Sequence, residues 1–219
     1  MLINPSERRK RLRRIFSGNR CVSPASVHDP LSARLAQAAG FEIGIFSGSL
    51  ACATALAAPD LNLVTLTEFA DQVRRIMRAS DLSLVVDADN GYGNALNTMR
   101  TVEELEHAGA SLISLEDLAL PARFDQPEGA VELVPLEEMA GKIRAAVRAR
   151  QDRELMVAGR TAALNCEGRH RAAERANAYA DAGADAIFLV GAKTLDDIEA
   201  VHRAAGLPII VGIGPPSLS

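Results

Sequence analysis

The sequence predicts an α/β domain of the TIM (β/α)8-barrel type, and three observations carry that expectation. Short β-branched runs alternate with longer helical patterns along the 219-residue chain. The β runs are apolar nearly throughout, as strands of a parallel sheet covered on both faces are. Three segments also repeat one phrase: "AAGFEIGIF", "HAGASLISL" and "DAGADAIFLV". Each reads as a helix end, a glycine in the C-cap region and then a buried strand.

The elements follow in order. The basic run "ERRKRLRRIF" places Leu12, Ile15 and Phe16 at helical spacing, and Asn4 or Ser6 can cap its start. A helix over about residues 5–17, covering one end of the domain, is therefore expected in preference to a transit peptide or a nucleic-acid arm. A first strand is expected over Arg20–Ser26 and a helix over Pro30–Ala39, with Asp29 at the N-cap and Pro30 at N1. The strand Glu42–Phe46 runs into the small-residue turn "SGSLACATALAAPD". Helices are then expected over Thr67–Ala79, Asn97–His107, Leu136–Arg150, Arg171–Ala182 and Thr194–Ala204. They alternate with strands Ser83–Asp87, Leu112–Leu115, Leu155–Arg160, Ala186–Val190 and Pro208–Gly212. No linker divides residues 1–219, so one domain is expected. Seven strands fall one short of the eight β/α units that close a TIM barrel. Either the sheet is open, or this is a barrel truncated after its seventh strand. The second case leaves two sheet edges for a partner or another segment to cover.

Composition removes several classes of function. A net charge of −4 offers no general attraction to nucleic acid, and no apolar run is long enough to span a bilayer. Cys21, Cys52 and Cys166 are odd in number and widely spaced, which argues against a disulfide scaffold or a zinc site and fits a cytoplasmic location.

In a parallel α/β domain, chemistry gathers at the carboxyl ends of the strands. Those ends carry Ser47, Gly48 and Ser49, then Asp60; Asp87 and Asp89 in "VVDADNGYGN"; Glu116 and Asp117 in "SLEDL"; and Arg160 in "AGRT". Each acid alone could be a turn former or a cap, but their convergence on one rim calls for a counter-charge. Oxygen ligands without a His or Cys cluster favour Mg²⁺, with Mn²⁺ an alternative, held by one or two carboxylates while the other acids bind its waters. Arg160 can grip a substrate carboxylate or serve as an ion-pair partner of Glu116. Backbone N–H groups of the Gly48-Ser49-Leu50 turn can hold a second anionic group.

With these motifs in hand, the chain resembles the isocitrate lyase/phosphoenolpyruvate mutase superfamily of Mg²⁺-dependent barrel enzymes. The resemblance is carried by "GIFSGSLA", "APD", "VVDADNGYGN", "LEDLALPARF", "AGRTAAL" and "AGADAIFLVG". It implies Asp87 as the direct metal ligand, with Asp89, Asp60 and Glu116 holding metal-bound water. It also implies Arg160 and the Gly48-Ser49-Leu50 turn as substrate-binding groups, and Tyr92 and Asn94 at the pocket mouth. Isocitrate and methylisocitrate lyases carry a K-K-C-G-H lid after the fourth strand, and phosphonate-processing members use a Lys and an Asn there. Here the segment reads "LALPARFDQPEGAVELVPLEE", without Cys, His, Lys or Asn. The chain is thus most similar to the oxaloacetate decarboxylase branch. That similarity implies a carbon–carbon lyase converting oxaloacetate, or a close 2-oxo acid, to pyruvate and CO₂ through a metal-stabilised enolate, and a homo-oligomer (dimer or tetramer). The alternatives are a lyase, hydrolase or mutase acting on another small carboxylate or phosphonate, or a catalytically weak scaffold. One departure is Ile213, where the decarboxylase-like branch tends to have Tyr.

Overall fold

A computed structural model of the chain describes residues 3–127 and 130–212; Ile213, the departure noted above, lies outside them. Seven strands form one parallel sheet in sequence order. They are β1 (Ala25–Ser26), β2 (Ile43–Phe46), β3 (Ser83–Asp87), β4 (Leu112–Glu116), β5 (Met156–Thr161), β6 (Ala186–Val190) and β7 (Ile209–Gly212). The helices are α1 (Pro5–Phe16), α2 (Pro30–Ala38), α3 (Gly48–Leu56), α4 (Leu66–Met77), α5 (Ala95–Ala108), α6 (Leu136–Ala149), α7 (Ala163–Cys166), α8 (Gly168–Asp181) and α9 (Leu195–Ala205). This is the TIM-type β/α arrangement, with no eighth strand among the described residues.

Helix boundaries follow local chemistry. Capping boxes start α2 (Asp29 with Ser32), α4 (Thr65 with Glu68), α5 (Asn94 with Asn97) and α9 (Thr194 with Asp197). The repeated glycine works as the phrase implies: Gly40, Gly109 and Gly183 take φ of 90°, 103° and 97°. A residue with a Cβ is strained there, and the chain needs that turn to leave each helix for the next strand.

Two expectations need correction. The first strand shrinks from Arg20–Ser26 to Ala25–Ser26, whose partners are Gly44 and Ile45. Pro24 stands immediately before it and has no N–H to give to a ladder. The segment after β2, expected as a turn, is instead the helix α3: Ser47 caps it, and its alanine-rich body favours a helix once capped.

Alternation along the strands sorts side chains to two faces. Val86, Ile113, Leu115, Val157, Ile187 and Leu189 pack outward beneath the helices in the main core. Ile43, Val85, Leu112, Met156, Ala158 and Ala186 face inward as a second cluster, and Leu12 of α1 is seated among them. Helix α1 therefore closes the amino-terminal end of the sheet. Its arginines hold it there. Arg9 Nε and Nη2 donate to the carbonyls of Ala110 (2.9 Å) and Glu106 (2.7 Å), and Nη1 to Asp152 (2.7 Å). Arg13 Nη1 donates to Asp185 (3.0 Å), and Arg8 Nη1 to the Ser80 carbonyl (3.0 Å). Among the described residues no helix is long and apolar enough to cross a membrane.

Candidate active site

The inward face changes character toward the carboxyl ends of the strands. Two residues beyond Val85 stands Asp87; beyond Leu112 come Ser114 and Glu116; two beyond Ala158 comes Arg160. Parallel register sets Asp87 beside Ser114 and Glu116 beside Arg160. The apolar lining below is thus continued upward by charge.

Arg160 is the centre of this group. Its Nη1 donates to Asp87 Oδ2, its Nη2 lies 3.2 Å from Glu116 Oε2, and its guanidinium carbon sits 5.3 Å from the centre of the Phe188 ring. Ser114 Oγ donates to Asp87 Oδ1 at 3.3 Å. Asp87 and Glu116 are buried. One guanidinium does not balance the acids present. Burial, then the Asp87 charge, pushes the Asp89 carboxyl up to about 7. Glu116 is raised by burial, with Arg160 opposing and Asp87 and Asp89 adding to the rise. Asp60 is exposed at the edge of the group, where partial desolvation and then the Asp87 charge raise it, with Arg160 opposing. For Arg160, burial acts downward, but Asp87 and Glu116 outweigh it and hold the guanidinium firmly charged. Asp60, Asp89 and Glu116 are thus all raised around Asp87 and a single arginine, an excess of negative charge that suits further positive charge.

The turn after β3 is set by backbone geometry. Asp89, Gly91, Tyr92 and Gly93 all take left-handed φ, of 46°, 81°, 60° and 141°. Residues with side chains pay for that conformation, and such strain clusters at functional sites. It places Asp89 against the start of α3, where a Cβ on Gly48 would stand 2.5 Å from Asp89 Oδ1. Tyr92 packs on Phe69 with ring centres 6.5 Å apart, and burial followed by the charges of Asp89 and Asp87 keeps its hydroxyl protonated.

The other expected residues are less uniform. Gly48, Ser49 and Leu50 form the first turn of α3, where backbone N–H groups and the helix dipole favour an anion. The Leu50 N–H already donates to Ser47 Oγ at 3.3 Å, and among the described residues the Gly48 and Ser49 N–H groups have no such acceptor. Asn94 is exposed, and its side chain caps α5 by accepting from Leu96 (2.9 Å) and Asn97 (3.3 Å), which ties it to the helix. Three contributors were not foreseen: Ser114 on Asp87, Phe188 under Arg160, and Asn62, whose side chain acts to lower the Asp89 carboxyl from a backbone with a left-handed φ of 55°. Ser114 and Phe188 were legible in the two-residue period of their strands; Asn62 had only its place two residues after Asp60.

Among the described residues, no three His, Cys, Asp or Glu side chains stand as a ready-made metal cage. Mg²⁺ takes one or two carboxylates directly and keeps its waters. The all-oxygen donor set and its surplus of negative charge fit a hard divalent cation.

A family model described as phosphoenolpyruvate phosphomutase matches residues 12–219. The chain belongs to the phosphoenolpyruvate phosphomutase family. Among curated members, an oxaloacetate decarboxylase of Rhodopseudomonas palustris (strain BisB18) is 52% identical over 208 residues, 95% of this chain and 71% of that protein. One of Paraburkholderia xenovorans (strain LB400) is 45% identical over 218 residues, covering 100% and 73%. Among solved structures, oxaloacetate acetylhydrolase with the inhibitor 3,3-difluorooxalacetate superposes with a TM-score of 0.86 at 30% identity, covering 95% of this chain and 72% of that one. Phosphonopyruvate hydrolase with oxalate and Mg²⁺ gives 0.81 at 34% identity, covering 93% and 71%.

Proposed function

We propose that this chain is a divalent-metal-dependent carboxy-lyase that decarboxylates oxaloacetate to pyruvate and CO₂. The observation that carries the reading is the excess of buried acid around Arg160, joined to the identity of about half its residues with decarboxylases along nearly the whole chain. Asp87 would hold the cation directly, with Asp89, Asp60 and Glu116 binding its waters; Mg²⁺ is preferred and Mn²⁺ an alternative. When bound, that ion polarises the substrate ketone and stabilises the charge that develops there.

The chain's own groups do the rest. Arg160 is the one cation in the group and offers a bidentate fork to a substrate carboxylate. The Gly48 and Ser49 N–H groups face a further anionic oxygen at the α3 terminus. Tyr92 keeps its proton and acts as a hydrogen-bond donor at the rim. The C3–C4 bond then breaks, CO₂ leaves, and the electron pair moves into the C2 carbonyl before a proton reaches C3. Nothing in this sequence requires a covalent nucleophile. In the cell we place the enzyme in the cytoplasm as a homo-oligomer with no nucleic-acid or membrane partner.

The test is a coupled pyruvate assay with oxaloacetate, with and without EDTA. Metal-dependent turnover is expected. Turnover that EDTA leaves untouched, or none at all with added Mg²⁺ or Mn²⁺, overturns the proposal.

A further inference from the structure

Asp117 follows Glu116 directly, is fully buried and takes no part in the chemistry above. Its Oδ2 accepts from Thr161 Oγ1 at 2.6 Å and from the Tyr179 hydroxyl at 2.8 Å, and lies 3.5 Å from Arg175 Nη1. Its Oδ1 accepts from the Ala162 N–H at 3.2 Å. Its own N–H donates to the Arg160 carbonyl at 3.1 Å, and its carbonyl accepts from the Val134 N–H at 2.8 Å. Arg175, also buried, donates to the Val134 carbonyl at 3.1 Å and to both carboxylate oxygens of Glu167, at 2.8 and 3.2 Å.

The pleat gives this cluster its meaning. Glu116 and Arg160 project inward to the site, so their neighbours Asp117 and Thr161 project outward under the helices. The network therefore grips, from behind, the two strand ends whose front faces carry the charged groups. Tyr179 reaches it only because residue 159 is glycine: a Cβ there would stand 2.6 Å from the Tyr179 ring. The same cluster binds residues 117 and 134, which bracket the long excursion between β4 and α6, itself closed by the Leu118–Leu133 bridge. Burying a charged pair adds little net stability over apolar packing of the same volume, but here its bonds tie the ends of β4 and β5 to the Val134 backbone.

We propose that Asp117, Arg175 and Tyr179 are positioning residues that aim the Arg160 guanidinium between Asp87 and Glu116. The catalytic consequence rests on the decarboxylase reading; the aim of Arg160 does not. The experiment therefore reads both in the full chain. Side-chain signals of Arg160 are followed in ¹⁵N-arginine spectra and assigned by their loss in Arg160→Lys. Tyr179→Phe, which keeps the ring, and Asp117→Asn are each expected to shift those signals. Each is also expected to lower kcat/KM for oxaloacetate roughly tenfold, mainly through KM, as loss of a hydrogen bond to a charged group does. In the Arg160→Lys background, Tyr179→Phe is expected to add nothing further. Unmoved Arg160 signals in both variants, or equal losses in both backgrounds, overturn the inference. Shifted signals in a chain that does not turn over oxaloacetate uphold the positioning and remove only the decarboxylase reading.

Discussion

At the scale of single residues, Asp87 is bonded to Arg160 and Ser114 and is repelled by its neighbouring acids, so its replacement separates chemistry from packing. Asp87→Ala is expected to lower kcat by at least about a thousandfold, the scale of losing a central electrostatic group. It should also abolish Mg²⁺ uptake in titration calorimetry; retained uptake would refute the ligand assignment. Gly48→Ala tests the crowding at α3: its Cβ would meet Asp89 Oδ1 at 2.5 Å, so activity should fall while the far-ultraviolet circular dichroism stays unchanged. The pH dependence has a definite sign. Asp89 binds its proton up to about pH 7, and a cation must displace that proton, so Mg²⁺ affinity is expected to rise from pH 5.5 to 8. Calorimetry at the two pH values checks it, and a flat profile would contradict it. Most of these side chains were visible in the sequence because polar residues interrupt apolar runs at strand ends. Asn62 and the capping role of Asn94 were not, since both depend on loop backbone that no period announces.

Among the elements, α1 and α3 reward comparison. Helix α1 was legible because Leu12, Ile15 and Phe16 form a stripe and its arginines lie beside it. Where those arginines go was not legible, because their partners are distant in sequence: Glu106 in the last turn of α5, and Ala110, Asp152 and Asp185 in the loops that precede strands. Leu12 is fully buried in the inward cluster, so Leu12→Ala is expected to cost about 2–5 kcal/mol in urea unfolding, the range for emptying a leucine site in a core. A cost near zero would show that α1 is not packed there. Helix α3 was missed because its first residues, Ser47, Gly48 and Ser49, read equally well as a turn. The deciding contact is the Ser47 cap on the Leu50 N–H, worth about 1 kcal/mol. Strand β1 is shorter than its expected span because Pro24, inside that span, has no N–H to give to a ladder.

For the molecule as a whole, the charge gathered at one end sets how stability responds to pH. Asp89 and Glu116 are both raised in the folded state, so their contribution is full below the ordinary carboxylate range of about 4 and is lost as pH rises through about 7 for Asp89 and about 8 for Glu116. In EDTA, Asp89→Asn should therefore gain melting temperature relative to the parent chain as pH goes from 5 to 8, and added Mg²⁺ should remove that advantage. Melting curves at the two pH values decide it; a constant difference would show that Asp89 is not desolvated.

The seat of Leu12 has one further implication. Its cluster continues, toward the amino-terminal end, the same inward face on which Asp87 and Arg160 stand, so residues 5–16 cover the apolar end of that face while the charges occupy the other. Loosening that cover would admit water to the apolar residues and raise the local polarity under the charged group, weakening the Arg160 ion pairs without altering any of their members.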